Sequence, residues 1–398
     1  MIKIEQHVEL KGFTTMKIGG RARFFAVVTS TVELQEAVTF AKEKGVSILT
    51  LGGGSNMLIS GGEMNALVIK VEIRGIEWGS HSLFLPPRDG SASGGKGSTP
   101  SSEEGFKSSG FQPPPLRKAC SRRLEESLIV TVGAGESWDG LVAQAVERGL
   151  WGIENLSGVP GSVGAAPIQN IGAYGTEVKE VTLWVEVFDI NTGEIKKLTS
   201  EECEFGYRDS IFKHAEGKPF VVTRVAFRLR KNGTPNLTYK DLRESFKLEV
   251  LSSKEEQERR LKEITISEIR KRVIEIRSNK FPDLKEFGTA GSFFKNPIIS
   301  TEKFSELKRT YPNLPGFELR TSNLELRIKV SLAWVLDNIC GLKGFEKGNV
   351  KLFEKQPIVL VQNGSASSEE IEAFAKEIIA NVKEKTGIEV EWEVQHMK

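Results

Sequence analysis

Histidine and cysteine are scarce in this chain, and their placing removes several chemistries at once. The four histidines, His7, His81, His214 and His396, are scattered without ligand spacing, which disfavours a zinc enzyme and a Ser-His-Asp hydrolase. The three cysteines, Cys120, Cys203 and Cys340, are odd in number and far apart. Neither a disulfide framework nor a clustered metal site is expected, and a reduced, cytoplasmic setting follows. No run of about 18 apolar residues occurs, and the start "MIKIEQHVEL" has no basic segment followed by an apolar one, so neither a membrane nor export is indicated. An excess of one charge is also missing. Fifty-five Lys and Arg against 53 Asp and Glu leave no basic field of the kind that gathers nucleic acid. Small molecules are the expected partners.

What is present is the composition of a globular protein: 398 residues, 39% apolar and 27% charged, enough for two or three domains. Residues 31–45, "TVELQEAVTFAKEKG", predict a helix capped by Ser30 or Thr31, with Val32, Leu34, Ala37, Val38 and Ala41 inward and Gly45 as its stop. The strand-like "VSILTLG" and "ALVIKV" follow, separated by "GGGSNMLIS". A second α+β segment runs from "SLIVTVGAG" through the helix "SWDGLVAQAVERG" to the strands "TLWVEVFDI" and "FVVTRVAFRLR". Between them, at about 79–125, the Gly-, Ser- and Pro-rich stretch reads as a disordered surface insertion. Its "LRKACSRR" reads as a solvated charge run. Helical spacing resumes in "ISEIRKRVIEIRSNKF" (Ile269, Val273, Ile276) and "SLAWVLDNICG" (Leu332, Val335, Leu336, Ile339). A capping box of Ser367 and Glu370 opens a last helix carrying Ile371, Phe374, Ala375, Ile378, Ile379 and Val382, with Gly387 past its end. The closing "IEVEWEV" alternates as a strand, Ile388, Val390, Trp392 and Val394 on one face and Glu389, Glu391 and Glu393 on the other.

Five stretches could carry chemistry. The glycine-rich turns 52–56 and 158–175 can offer backbone N–H nests to phosphate oxygens and let a flat ligand approach closely. Neither has the Lys-Ser/Thr of a P-loop or the G-x-G-x-x-G of a dinucleotide fold. Taken singly, each reads first as a tight structural turn, but two in one chain favour a phosphate-bearing cofactor. "FGYRDSIFK" sets Arg208 among aromatic and apolar neighbours, where a guanidinium needs a carbonyl cluster or an anionic partner. That partner is a ligand carboxylate or Asp209. "FGTAGSFFKNP" places the Ser292 hydroxyl beside Phe293 and Phe294, a dry turn from which a proton could reach a basic carbanion. On spacing alone, any of the three closing glutamates could be the functional one.

In order, "TTMKIGG", "LGGGSN", "GIENLSGVPGSVGAAPIQNIGAYG", "GYRDSIFK", "LTYKDL", "IRSNKFPD", "GTAGSFFKNP" and "VEWEV" resemble the UDP-N-acetylenolpyruvoylglucosamine reductases, over nearly the whole chain outside the insertion. "GYRDSIFK" and "LTYKDL" resemble the family's first type, which has an extra tyrosine-bearing substrate loop. The resemblance implies an α+β fold: an FAD-binding two-subdomain unit of the vanillyl-alcohol-oxidase/PCMH type plus a smaller α+β substrate-binding domain. It implies FAD-binding subdomains at 1–70 and 71–281, the latter with the closing strand 386–398, and a substrate-binding domain at 282–385. The implied enzyme is cytoplasmic and monomeric, holds FAD, takes hydride from NADPH, and reduces UDP-N-acetylglucosamine enolpyruvate to UDP-N-acetylmuramate. Arg208 and Glu393 would stabilise an enolate-like intermediate and Ser292 would donate the completing proton; the family's glutamate immediately precedes a valine, which selects Glu393 over Glu391. Gly52, Gly53, Gly54, Ser55, Asn56, Pro160, Gly161, Ser162, Gly164, Ala165, Asn170 and Gly172 would lie against FAD. Tyr174, Tyr239, Lys280 and Asn296 match substrate-contacting positions. No metal is implied. The rival reading is an FAD-dependent oxidase of the same fold acting on another substrate.

Overall fold

The computed structural model describes residues 2–79, 127–248, 253–320 and 325–397. The expected insertion at 79–125 lies outside these residues except for Gly79, and Cys120 with it. Helix α1, Thr31–Lys44, begins at Ser30, whose hydroxyl accepts from the Glu33 N–H at 3.2 Å, and ends at Gly45 with φ 62°. Leu34, Ala37, Val38 and Ala41 are buried, but Val32, expected inward, is 67% exposed. At 3.6 residues per turn it falls roughly 160° around the helix from Leu34.

Helix α1 covers a four-stranded sheet of Ile4–Glu9, Arg21–Val28, Glu63–Val71 and Ser47–Leu51, in that spatial order. The first pair is antiparallel and the other two are parallel. A second sheet orders Ile195–Thr199, Thr182–Asp189, Phe220–Arg230, Ser127–Gly133 and Ile76–Gly79, all antiparallel. Helix α2, Trp138–Glu147, starts from the Ser137 cap, and its Trp138 indole donates to the Leu156 carbonyl at 3.1 Å. One core joins both sheets, with Phe24 and Ile69 from the first, Val132 and Phe227 from the second, and Leu34 and Trp138 from the helices α1 and α2. Each fully buried Leu, Val or Phe there contributes about 1.5–3 kcal/mol relative to exposure.

A separate core is built from residues after 289 and draws in Met16, Ile18 and Leu58 from the N-terminal unit. It is covered by helix α4, Ser368–Thr386, whose capping box pairs Ser367 with Glu370 and whose C-terminal Gly387 has φ 70°. Helix α3, Ile266–Lys280, starts from a Thr265–Glu268 capping box and packs Ile269 and Val273 into a smaller cluster with Tyr174 and Leu242. "SLAWVLDNICG" is helical only over Leu332–Trp334 and widens to a π-helix over Val335–Ile339.

The expected closing strand "IEVEWEV" is a correction. Regular pairing is confined to Gln395–Met397, which runs parallel to Met57–Ile59, beside the first glycine turn and not in the second sheet. The cause lies just before it. The N–H groups of Glu393 and Val394 both approach the Phe293 carbonyl, at 2.9 and 3.5 Å, so the chain bends where a ladder would have continued. Among the described residues no helix is long and apolar enough to cross a membrane.

Ser367→Ala removes the hydroxyl that accepts from the Glu370 N–H. It is expected to lower the unfolding free energy by about 1 kcal/mol, read from the denaturant midpoint; an unchanged midpoint would mean that packing alone starts α4.

Candidate active site

The two glycine turns meet face to face. A Cβ on Gly53 would lie 2.6 Å from the Gly161 Cα, and one on Gly52 would lie 2.8 Å from the Ser162 Oγ and 3.3 Å from the Ala165 Cβ. Only bare backbone permits that approach. The Ser55 hydroxyl donates to the Pro160 carbonyl at 3.1 Å. Gly164 packs against Ala134, where a Cβ would come within 2.5 Å, and its N–H donates to the Ala134 carbonyl at 2.9 Å. Among the described residues the N–H groups of Gly53, Gly54, Ser55, Gly161 and Ser162 meet no protein acceptor. The Ser162 hydroxyl is buried without a partner. Unmet donors on two facing turns suit a phosphate-bearing ligand.

Asn56 links this cradle to the closing segment. Its amide donates to Gln169 Oε1 and, at 3.1 Å, to the Glu393 carbonyl. Its own carbonyl accepts from the Gln395 N–H at 3.0 Å. Glu393 is thereby turned inward, its side chain 10% exposed and its Oε1 2.9 Å from the Arg208 Nε. The contact is an ion pair by distance, without the alignment of a hydrogen bond. Burial works against the Arg208 charge, but Glu393 and Tyr207 hold its pKa above the ordinary arginine value. Glu391, by contrast, is 73% exposed and pairs with Lys295 at 2.8 Å.

Arg208 has φ 54°, in the left-handed region. Its Nη2 donates to the Gly172 carbonyl at 2.7 Å, and its carbonyl accepts from the Lys213 ammonium at 2.8 Å. Asn170 is fully buried; its amide donates to Gly206 O at 2.8 Å and Glu177 Oε2 at 2.9 Å, and its Oδ1 accepts from the Lys179 N–H at 3.1 Å. Asn170 and Gly172 therefore bond to the Arg208 turn. Ser292 follows Gly291 (φ 73°) and makes a single bridge to Val359. The next carbonyl, Phe293 O, accepts from the Glu393 N–H at 2.9 Å. Among the described residues its hydroxyl has no partner, so it can serve a ligand.

The expected substrate positions form a second group. Tyr174 and Tyr239 meet edge to face at 5.1 Å. Burial pushes the Tyr174 phenol up to about 12. Lys280 lies 5.9 Å from the Tyr239 ring and pairs with Asp241. Asn296 stands apart from these, accepting from the Leu332 N–H at 2.9 Å and meeting the Tyr207 phenol. Sequence reasoning passed over Tyr207 and Lys213, although both flank Arg208 in "GYRDSIFK". It also missed Arg277, one turn before Lys280 on α3 and bonded to Tyr174, whose pKa burial lowers. Lys329, 5.1 Å from the Tyr207 ring, lies in the plain strand Leu326–Val330, which carries no motif.

A cradle of unmet N–H groups, set beside a buried Arg–Glu pair in a two-sheet α+β unit, defines the class: a nucleotide-cofactor enzyme acting on an anionic substrate. Residues 22–82 and 116–199 match the FAD binding domain, and residues 283–397 match the C-terminal domain of UDP-N-acetylenolpyruvoylglucosamine reductase. The reductases of Pseudomonas syringae pv. tomato and Ralstonia nicotianae are 33% and 34% identical to the chain over 98% of it and 98% of their own length. The solved reductase of Thermus caldophilus shares the fold over the whole of both chains, with a TM-score of 0.59 at 22% identity. The chain belongs to the UDP-N-acetylenolpyruvoylglucosamine reductase family, FAD-dependent oxidoreductases.

Gly53→Ala drives a methyl into the Gly161 backbone, which cannot yield as a flexible side chain would. The purified variant is expected to lose most of its bound flavin, read from visible absorbance, with its far-ultraviolet circular dichroism unchanged. Full flavin content would show that the turns do not need this contact.

Proposed function

We propose that the protein reduces UDP-N-acetylglucosamine enolpyruvate to UDP-N-acetylmuramate with NADPH, in the cytoplasm and as a monomer, for peptidoglycan precursor synthesis. The observation that carries this reading is the inward Arg208–Glu393 pair, 2.9 Å apart, one residue along the backbone pairing from the free Ser292 hydroxyl. FAD, when bound, supplies the hydride chemistry that joins nicotinamide to the enol ether. Gly53, Gly54, Ser55, Gly161 and Ser162 offer its phosphates the unmet donors described above. Residues 1–70 and 71–281 would form this FAD unit and 282–385 the substrate-binding domain.

Hydride addition to the terminal carbon of the enol ether leaves negative charge on the adjacent carbon and its carboxylate. A guanidinium held charged in a mostly buried site stabilises that charge more than it would in water. Glu393 fixes its direction. Ser292 donates the proton that completes the reduction. Tyr174 and Tyr239 present an aromatic wall to the sugar nucleotide, Lys280 suits its diphosphate as a point charge, and Asn296 orients its neighbour Tyr207.

Two measurements test the reading. The yellow protein should consume NADPH only when the enolpyruvyl UDP-sugar is present; brisk oxygen consumption without it would favour an oxidase. Ser292→Ala should leave flavin reduction by NADPH nearly intact while slowing reoxidation by the sugar about a hundredfold or more. Equal loss in both half-reactions would remove Ser292 as proton donor.

A further inference from the structure

The mechanism above leaves a mostly buried cation without a task. Lys213 ends the short helical turn Ile211–Lys213 and donates its ammonium to the Arg208 carbonyl at 2.8 Å. Arg208 is left-handed, φ 54°, a conformation that a long side chain keeps only where its surroundings over-determine it. Three of those surroundings act on other atoms. The Gly172 carbonyl holds the guanidinium, and Gly206 and Asp209 close the turn with N–H to carbonyl bonds of 3.0 and 3.4 Å. Asn170 anchors Gly206. Lys213 alone among the described residues takes the Arg208 carbonyl itself.

We propose that Lys213 is a positioning residue for the reductase reaction: its ammonium pins the Arg208 carbonyl, keeps that residue left-handed, and so aims the guanidinium at Glu393 and the substrate carboxylate. The proposal rests on the reductase reading. A neutral amine would make this bond more weakly, since a charged donor makes the stronger hydrogen bond, so the brace depends on protonation. The groups facing Lys213 are Arg208 and Asp209 from its own loop, Lys295 from the segment after Ser292, and Glu393 from the closing segment. Burial, Lys295 and Arg208 lower its pKa, against Glu393 and Asp209. A lowered lysine pKa means that the ammonium is present at neutral pH and is lost, as pH rises, before an ordinary lysine would lose it. An alkaline limb in the sugar half-reaction follows.

The test uses the full FAD-loaded chain, with Lys213→Met and Lys213→Arg, from neutral to alkaline pH. Stopped-flow absorbance separates flavin reduction by NADPH from reoxidation by the enolpyruvyl UDP-sugar. Calorimetry measures binding of UDP-N-acetylmuramate, whose carboxylate the same guanidinium would hold. Lys213→Met is expected to leave reduction by NADPH unchanged, slow reoxidation and weaken product binding by about tenfold or more, and abolish the alkaline limb. Lys213→Arg should restore the rate and carry the limb to higher pH. The proposal is overturned if Lys213→Met matches the parent at every pH or slows both half-reactions equally. It is also overturned, should Lys213→Met fail to fold, if Lys213→Arg keeps the parent limb unmoved. A parent protein that does not reduce the sugar at all overturns the reductase reading instead.

Discussion

The Arg208–Glu393 ion pair is the contact on which the site depends. With the arginine side chain 20% and the glutamate 10% exposed, neither charge is tolerable alone; removing one partner of such a buried pair costs about 3–5 kcal/mol. The pair therefore binds a loop of the second sheet's unit to the last residues of the chain. Three local features serve that meeting. The bend at Glu393 and Val394 turns the carboxylate inward, the left-handed Arg208 turns the guanidinium toward it, and Asn56 holds the Glu393 carbonyl.

Asn56 carries the same constraint to the cofactor side. One residue ends the first glycine turn, reaches Gln169 in the second stretch and accepts from Gln395 in the closing strand. The cradle and the ion pair are thus parts of one hydrogen-bonded assembly. The N-terminal "TTMKIGG" joins in from the other side: Thr15 donates its hydroxyl to the Thr289 carbonyl at 2.7 Å and accepts from the Thr289 N–H at 3.0 Å, fixing the turn before Ser292.

Local pattern was legible wherever local physics decided the outcome. The caps at Ser30 and Ser367 and the stops at Gly45 and Gly387 involve residues three or four apart, and the helices start and stop there. Non-local facts were not legible. The alternation of Ile388, Glu389, Val390 and Glu391 is real in burial, yet it could not reveal that Phe293 would bend the chain and set Glu393 apart from the exposed Glu391. The motifs brought Asn170 and Gly172 into view as cofactor neighbours. Only the three-dimensional turn shows their atoms bonded to the Arg208 loop. Lys329 had no local signal, because an alternating strand looks the same whether its lysine meets solvent or a tyrosine.

The charge balance explains why so many cations gather at a site with one inward carboxylate. Arg208 and Glu393 cancel, and Lys295 is offset by the exposed Glu391. Lys213, which faces Asp209 and Glu393, and Lys329, which faces Glu177, both have pKa lowered first by burial and then by neighbouring cations. Cations set this close repel one another and cost stability. On the function proposed above, a substrate carboxylate would relieve that repulsion, and the negative charge that develops after hydride addition would relieve more. On the same proposal the field suits an anion whose charge grows during the reaction, and that distinguishes stabilising the transition state from merely holding the substrate.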